Sequence, residues 1–187
     1  MLIYTMGVSV DGFIHDRDGD FQWPGHSDEL FAFHTERVGS LGGTILGRRL
    51  YETMRVWETD PAMRDTEAGA VFADIWAALP KVVFSHTLDA VDGNARLART
   101  SVADEVAEVR AATDRDIEIG GADLASQAFE LGLVDELRIF RYPVVVGGGT
   151  PMLPPVTDRV DLHLVETRLF GVVAYERYRV HRRPQAE

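Results

Sequence analysis

Residues 44–54 read TILGRRLYETM: a short β-branched and apolar run, one glycine, two adjacent arginines, then residues able to continue as a helix. The stretch reads as the end of a buried strand meeting the start of a helix, and two guanidinium groups stand at the joint. They stand out because the chain carries a formal net charge of -11, a pI near 4.9 and a single lysine, Lys81. That balance argues against a general nucleic-acid or anionic-membrane surface, which rests on accumulated positive potential. Any anion this chain holds must be gripped locally.

Two more joints share the design: KVVFSHT at 81–87 and IEIGGADL at 117–124. In open α/β sheets ligands sit outside the carboxyl ends of strands, where helix N-termini offer free amide groups to anions. Three such joints in one domain suit a nucleotide-sized ligand. Gly120-Gly121 lets a backbone approach a pyrophosphate closely, or simply makes a tight strand-to-helix turn. There is no G-x-G-x-x-G and no P-loop lysine, so neither motif supports the reading. Arg48 and Arg49 read equally as phosphate ligands or as solvated residues paired with nearby acids.

Outward from these joints, Leu2 to Val10 is β-rich and ends at the turn Asp11-Gly12. Residues 13–27, FIHDRDGDFQWPGHS, read as a loop. Ser27 then caps a helix carrying Leu30, His34, Val38 and Leu41, closed by Gly42-Gly43, with His34 facing the core. After Thr44 to Leu46, residues 55–68 read as polar and irregular. Val71, Ile75 and Leu79 mark a second long helix, and Lys81 to Phe84 a strand. Ala95 to Thr100 reads as a further strand. Val102, Val106 and Val109 line a helix leading into the strand Asp116 to Ile119, and Leu124, Ala128 and Leu131 a helix stopped by Gly132. Val134 to Val146 is strand-like, GGGTPMLPP at 147–155 is a loop, and Val160 to Val180 gives two alternating strands turning near Phe170-Gly171.

Strands alternating with helices predict a mixed, mainly parallel central sheet flanked by helices, with an antiparallel C-terminal edge: one three-layer α/β domain spanning 1–187. At 187 residues and 45% hydrophobic content the chain suits one buried core. There is no cysteine, which excludes disulfides, thiolate metal sites and a cysteine nucleophile. The opening residues lack the pattern of a secretory leader and no run approaches a membrane span, so a soluble, cytoplasmic protein is expected. The six histidines form no HExxH-like pattern, and no metal site is expected.

The segments VSVDGFI, TILGRRLYETM, KVVFSHTL, IEIGGADLASQAF and VDELRIFRYPVVVGGGTPML, in this order, resemble the dihydrofolate-reductase-like superfamily, and more closely its RibD C-terminal branch. The resemblance covers most of the chain and implies a reductase with NADPH lying across the sheet. It implies that Gly47 ends the strand at the cofactor, that Arg48 and Arg49 are the residues matching the arginine on the adenosine 2′-phosphate, since a planar guanidinium binds phosphate bidentately, and that the following helix start lies near the pyrophosphate. It further places Ser85, His86 and Thr87 by the adenine ribose, and Gly120, Gly121 and Ala122 by the diphosphate and nicotinamide.

For the substrate, a small and heterocyclic molecule, the resemblance points to Asp28 or Glu29 as an acid on the first helix, though first-turn acids also suit the helix dipole. The branch's Ser-x-Asp-Gly pattern is matched by Ser9, Asp11 and Gly12, with Asp11 touching substrate or making the turn. Trp23 and Phe21 either cap the nicotinamide or anchor their loop, and Gly148 and Thr150 border the cleft. Alternatives of the same family are a riboflavin-pathway reductase of a phosphoribosylamino-pyrimidine, with Arg138 and Arg141 as a second phosphate site, and dihydrofolate reduction itself. A non-catalytic nucleotide- or drug-binding module is the rival of a different class. A homodimer is implied by resemblance.

Overall fold

The computed structural model describes residues 1–153 and 155–181. Pro154, inside the expected loop, and 182–187, the end of the expected domain, lie outside the described residues. The strands are β1 (Leu2–Val8), β2 (Phe13–His15), β3 (Gly43–Gly47), β4 (Lys81–Phe84), β5 (Ala95–Leu97), β6 (Ile117–Gly120), β7 (Glu136–Arg141), β8 (Thr150–Pro151), β9 (Asp161–Phe170) and β10 (Val173–His181). The helices are α1 (Asp28–Gly39), α2 (Arg48–Met54), α3 (Val56–Thr59), α4 (Glu67–Ala78), α5 (Val102–Ala111) and α6 (Ala122–Glu130), with a 3-10 turn at Pro61–Arg64.

Eight strands form one sheet in the order β5-β4-β3-β6-β1-β7-β10-β9. The first six run parallel, while β10 is antiparallel to both β7 and β9. Leu2, Ile3 and Tyr4 of β1 are all buried, as a central strand covered on both faces requires. The period-two alternation then sorts side chains between two cores. Ile45, Ile117, Ile119 and Tyr4 pack under α5 and α6 with Val106, Leu124 and Ala128, while Leu46 and Val83 pack with Val38, Phe72 and Trp76 of α1 and α4. The expected three layers and antiparallel edge are therefore present.

Ser27 caps α1 through its Oγ, which accepts from the Leu30 N–H at 3.2 Å. Elsewhere local pattern and fold part company. Residues 55–68 are not irregular: they hold α3 and the 3-10 turn, which are too short and polar to show a period, and Asp60 caps the turn by accepting from Ala62 N–H. In α4 the buried stripe is Phe72, Ala73 and Trp76, and Val71 is 47% exposed. The Val71-Ile75-Leu79 spacing repeats one position along at Phe72-Trp76, and larger rings win the core. Leu131, expected inside, is 53% exposed just past the end of α6.

The first strand stops at Val8 because Ser9 and Gly12 close a turn, and the expected loops at 13–27 and 147–155 pair with each other through β2 and β8. Lys81 is buried at the start of β4, where its Nζ donates to the Trp76 and Leu79 carbonyls and pairs with Glu58 at 3.2 Å. Among the described residues no helix is long and apolar enough to cross a membrane.

Candidate functional site

Register places the three joints side by side. Gly47 of β3 lies opposite Phe84 of β4, and Leu46 lies opposite Gly120 of β6. Next in line, β6 meets β1 with Ile119 opposite Tyr4, but β1 runs on to Val8 along β7. The carboxyl edge of the sheet therefore steps down from β1 to β6 and β3, leaving a notch floored by glycines.

The glycines at this step have different causes. Gly121 has φ +101, a conformation that side chains strain to adopt, and it caps α6. A Cβ on Gly120 would lie 2.4 Å from Leu50 Cδ2, so Gly120 lets α2 pack against the sheet. Gly47 has an ordinary φ of -71, and a Cβ there would meet nothing nearer than the Gly120 carbonyl oxygen at 3.8 Å. Neither φ nor packing requires a glycine at position 47: a Cβ there would make ordinary van der Waals contact and no clash.

Arg48 and Arg49 occupy the first turn of α2. The Arg48 guanidinium pairs with Glu52 one turn later at 2.9 Å, on the surface. Arg49 is exposed and its guanidinium makes no ion pair among the described residues. Two cations at the positive end of a helix oppose its dipole, an arrangement that an anion would relieve. Ala122 begins α6, whose first intrahelical bond is from the Ala125 N–H to the Gly121 carbonyl. The N–H groups of 122–124 lack an intrahelical acceptor, and no side chain caps them. On the other side of β3, the Ser85 Oγ accepts from the Thr87 and Leu88 N–H groups, shaping a turn that presents exposed His86 and Thr87.

The substrate-side residues expected from sequence fall into two groups. Ser9, Asp11, Gly148 and Thr150 belong to a pair of interlocked loops above β1 and β7. Asp11 accepts from the Gly147 N–H at 2.7 Å and the Val146 N–H at 3.2 Å. A hydrogen bond from the Ser9 hydroxyl, joined by these backbone donors, holds the Asp11 carboxyl below its ordinary range. Asp11 thus anchors a loop 135 residues away, and its low pKa suits it poorly to giving up a proton near neutral pH. Arg17 donates to the Gly147 carbonyl and lies against Gly148, while Thr150 pairs with His15. A Cβ on Gly149 would overlap the His15 carbonyl oxygen at 1.9 Å, so the glycine run permits this close strapping.

Trp23 does not reach the notch. It is buried against Tyr142, ring centres 5.7 Å apart, in the cluster with Leu30, Phe140 and Phe170, and so anchors its loop; Phe21 is exposed. His34 lies under α1 with its ring 4.3 Å from Phe140, and burial pushes its pKa down to about 3.

Asp28 opens a separate cleft of about 480 Å³ between the N-termini of α1 and α4, lined also by Phe31, Trp57, Ala62, Met63, Thr66, Ala68 and Gly69. Both helices run from the carboxyl edge of the sheet back toward its amino edge, so the cleft opens on the side of the three joints. Glu29, exposed one residue on, is not in its lining. Phe31 stacks on Trp57 at 5.7 Å and 26°, and Trp57 packs on Phe72 at 4.4 Å. Phe31 shares a face with Asp28 at i, i+3, a signal legible in sequence; Trp57 and Met63 sit in the stretch read as irregular and carried none.

Arg138 and Arg141 do not form a second phosphate cluster. Three residues apart on one strand, they point to opposite faces, and each is already paired, Arg138 with Glu136 at 2.7 Å and Arg141 with Glu176 at 3.1 Å.

The chain is similar to known proteins in sequence and in fold. The chain is 31% identical over 178 residues to a Bacillus subtilis (strain 168) protein named uncharacterized protein YyaP, covering 92% of this chain and 91% of that one. Its fold is that of the Enterococcus faecalis dihydrofolate reductase complexed with NADP(H) and RAB-propyl, at TM-score 0.62, 17% identity and 97% of both chains. It also matches the diaminohydroxyphosphoribosylaminopyrimidine deaminase/5-amino-6-(5-phosphoribosylamino)uracil reductase of Thermotoga maritima, at TM-score 0.66 and 17% identity, over 97% of this chain and 56% of that longer one. The RibD C-terminal domain model spans residues 1–174, and on that match the chain belongs to the RibD C-terminal domain family.

Proposed function

We propose that this protein is an NADPH-dependent reductase that delivers hydride to a C=N or C=O carbon of a small heterocyclic molecule. The observation that carries the reading is Gly47: neither its φ nor its packing needs a glycine, it directly precedes the Arg48-Arg49 turn of α2, and a Cβ on it would lie 3.8 Å from the carbonyl oxygen of Gly120, beside the uncapped start of α6. Family membership supports a reductase, and the fold is shared with a reductase whose complex holds NADP(H).

When bound, NADPH supplies the hydride. Gly47 admits its backbone-hugging phosphates, Arg49 and, by exchanging partners, Arg48 hold the 2′-phosphate, and the free N–H groups of 122–124 face the diphosphate. Gly121 keeps that helix start open to the ligand. Ser85, His86 and Thr87 border the adenosine end. The interlocked loops fixed by Asp11 and Arg17 wall the notch beside β1. Asp28, the acid that lines the cleft, orients the substrate and the water or donor group that protonates it.

We place the enzyme in the cytoplasm as a homodimer joined along β9, an edge strand that pairs with β10 on one side, is open on the other among the described residues, and carries exposed Leu162, Leu164 and Leu169; sedimentation would test the dimer, and a monomer at micromolar concentration would refute it.

The function is tested by titrating purified protein with NADPH and NADH, then screening oxidised pteridines, pyrimidines and carbonyl compounds for loss of absorbance at the reduced nicotinamide band. Tight NADPH binding with turnover of one class is expected. Binding of neither cofactor overturns the proposal.

A further inference from the structure

Two of the buried tyrosines have engaged hydroxyls: Tyr4 donates to the Met152 carbonyl at 2.9 Å, and Tyr51 accepts from the Asp92 N–H at 2.9 Å. Tyr142 is buried as they are, at 8% exposed, yet its hydroxyl has no hydrogen-bond partner among the described residues. Tyr175 also lacks one, but it lies among the charges of Arg138, Glu166, Arg177 and Glu136. Burial alone pushes the Tyr142 pKa up, so the hydroxyl keeps its proton at neutral pH. A buried donor without a partner is costly, and its partner is then to be sought outside the chain.

The position decides where this hydroxyl points. Tyr142 follows the end of β7 and shares a face with Phe140, the face that His34 of α1 covers. Its ring crosses onto β1: a Cβ on Gly7 would lie 3.1 Å from Tyr142 Cε2 and 3.8 Å from Cδ2, so the hydroxyl end of the ring rests over Gly7. Gly7 is paired with Phe140 of β7 on one side. On its other side β6 has already ended, since the last β6 residue paired with β1 is Ile119, opposite Tyr4. The ring therefore leans across the strand that walls the notch, toward the open side. Trp23 at 5.7 Å and His26 at 5.9 Å hold it there from the loop above.

With the 2′-phosphate at the joints of β3 and β4 and the diphosphate at the start of α6, the sheet order β4-β3-β6-β1 brings the nicotinamide end of the cofactor to β1. We propose that Tyr142 is a catalytic residue: its hydroxyl hydrogen-bonds the C=N nitrogen or C=O oxygen of the substrate beside Gly7 and gives it a proton as the carbon receives hydride. The proton transfer rests on the reductase reading; the hydrogen bond to a ring acceptor does not. As the new C–H bond forms, the π electron pair moves to nitrogen or oxygen, the Tyr142 O–H bond breaks and an N–H or O–H bond forms. The substrate gains two electrons, NADPH is oxidised to NADP+, and water returns a proton to the phenolate. The donor stands fixed where charge develops, which needs no reorganisation during the step.

Equilibrium dialysis of the protein without cofactor reads the hydrogen bond, with quinoxaline as a two-ring heterocycle carrying C=N acceptors and naphthalene as the same shape without them. In Tyr142→Phe the affinity for quinoxaline relative to naphthalene should fall about two- to tenfold. Gly7→Ala, whose Cβ would press on the ring at Cε2, should lower the same ratio. Thermal melts separate this role from a structural one: the phenylalanine variant loses a hydroxyl that bonds nothing inside the protein, so it should melt no lower than the parent. In single turnover of the compound that the NADPH screen identifies, Tyr142→Phe should slow hydride transfer about 100-fold while NADPH affinity stays unchanged.

An unchanged probe ratio in folded Tyr142→Phe overturns the proposal, as does an unchanged single-turnover rate or a parent protein that does not bind quinoxaline. The NADPH titration is independent of the probes. A Tyr142-dependent ratio without NADPH binding would refute the reductase reading alone, and NADPH binding with an unchanged ratio would refute the role of Tyr142 alone.

Discussion

Replacing Arg49 by alanine should move stability and cofactor affinity in opposite directions. In the free protein the Arg49 guanidinium is exposed, has no ion pair among the described residues and stands in the first turn of α2, where a positive charge opposes the helix dipole by about 0.3 to 1 kcal/mol. Its removal should therefore raise the melting temperature by roughly 1 to 3 °C for a chain of this size. With NADPH bound, charged hydrogen bonds to the 2′-phosphate are worth about 1.5 to 3 kcal/mol, so the variant should bind NADPH roughly 10- to 150-fold more weakly and NADH almost unchanged.

Arg48 provides the internal comparison. Its surface pair with Glu52 is worth about 0.3 to 0.5 kcal/mol, little enough to be exchanged for a phosphate. Glu52→Gln frees Arg48 and should tighten NADPH by about twofold if that guanidinium shares the 2′-phosphate. Calorimetric titration of the parent protein, Arg49→Ala and Glu52→Gln with both cofactors, beside thermal melts without cofactor, reads every term. Equal losses of NADPH and NADH in Arg49→Ala, or a melting temperature that falls, would refute the reasoning.

Three further outcomes follow from the geometry. Gly47→Ala should fold with a loss of at most about 1 kcal/mol, since its φ is ordinary and its Cβ would clash with nothing, yet it should weaken NADPH at least tenfold; unchanged affinity would remove Gly47 from the site. His34, held near a pKa of about 3 by burial and by the positive charge of Arg37, takes up its proton more readily unfolded than folded. Stability should therefore be full above pH 6.5 and fall by about 1.4 kcal/mol per unit as pH drops from 6.5 toward 3; chemical denaturation of His34→Phe across that range should show a shallower slope, and an unchanged slope would contradict it. Lys81→Met strands the Glu58 carboxylate and the Trp76 and Leu79 carbonyls, and should cost about 3 kcal/mol, with Glu58→Gln non-additive to it in a double-mutant cycle.

The sequence by itself determined the order of the long helices and main-sheet strands and the row of joints. Leu2 to Val10, Thr44 to Leu46 and Asp116 to Ile119 are strand-like runs closed by polar residues or glycine, and each run-plus-breaker is a local pattern that period and turn chemistry settle. Parallel pairing of such runs then aligns their carboxyl ends, so Gly47, Phe84 and Gly120 were bound to meet at one edge once the βαβ order was read.

Only the tertiary structure decided what the individual side chains do there. Asp11 serves the backbone at Val146 and Gly147, Trp23 packs on Tyr142, and Lys81 answers Glu58; each contact joins residues far apart in the chain, which no local period encodes. The same holds for the glycines: identical in sequence, Gly120 is explained by Leu50, Gly121 by its positive φ, and Gly47 by nothing inside the protein. The cleft was hidden for a related reason. Trp57 lies in a four-residue helix too short to show a period, and it becomes a wall only because Phe31 and Phe72 arrive from two other helices.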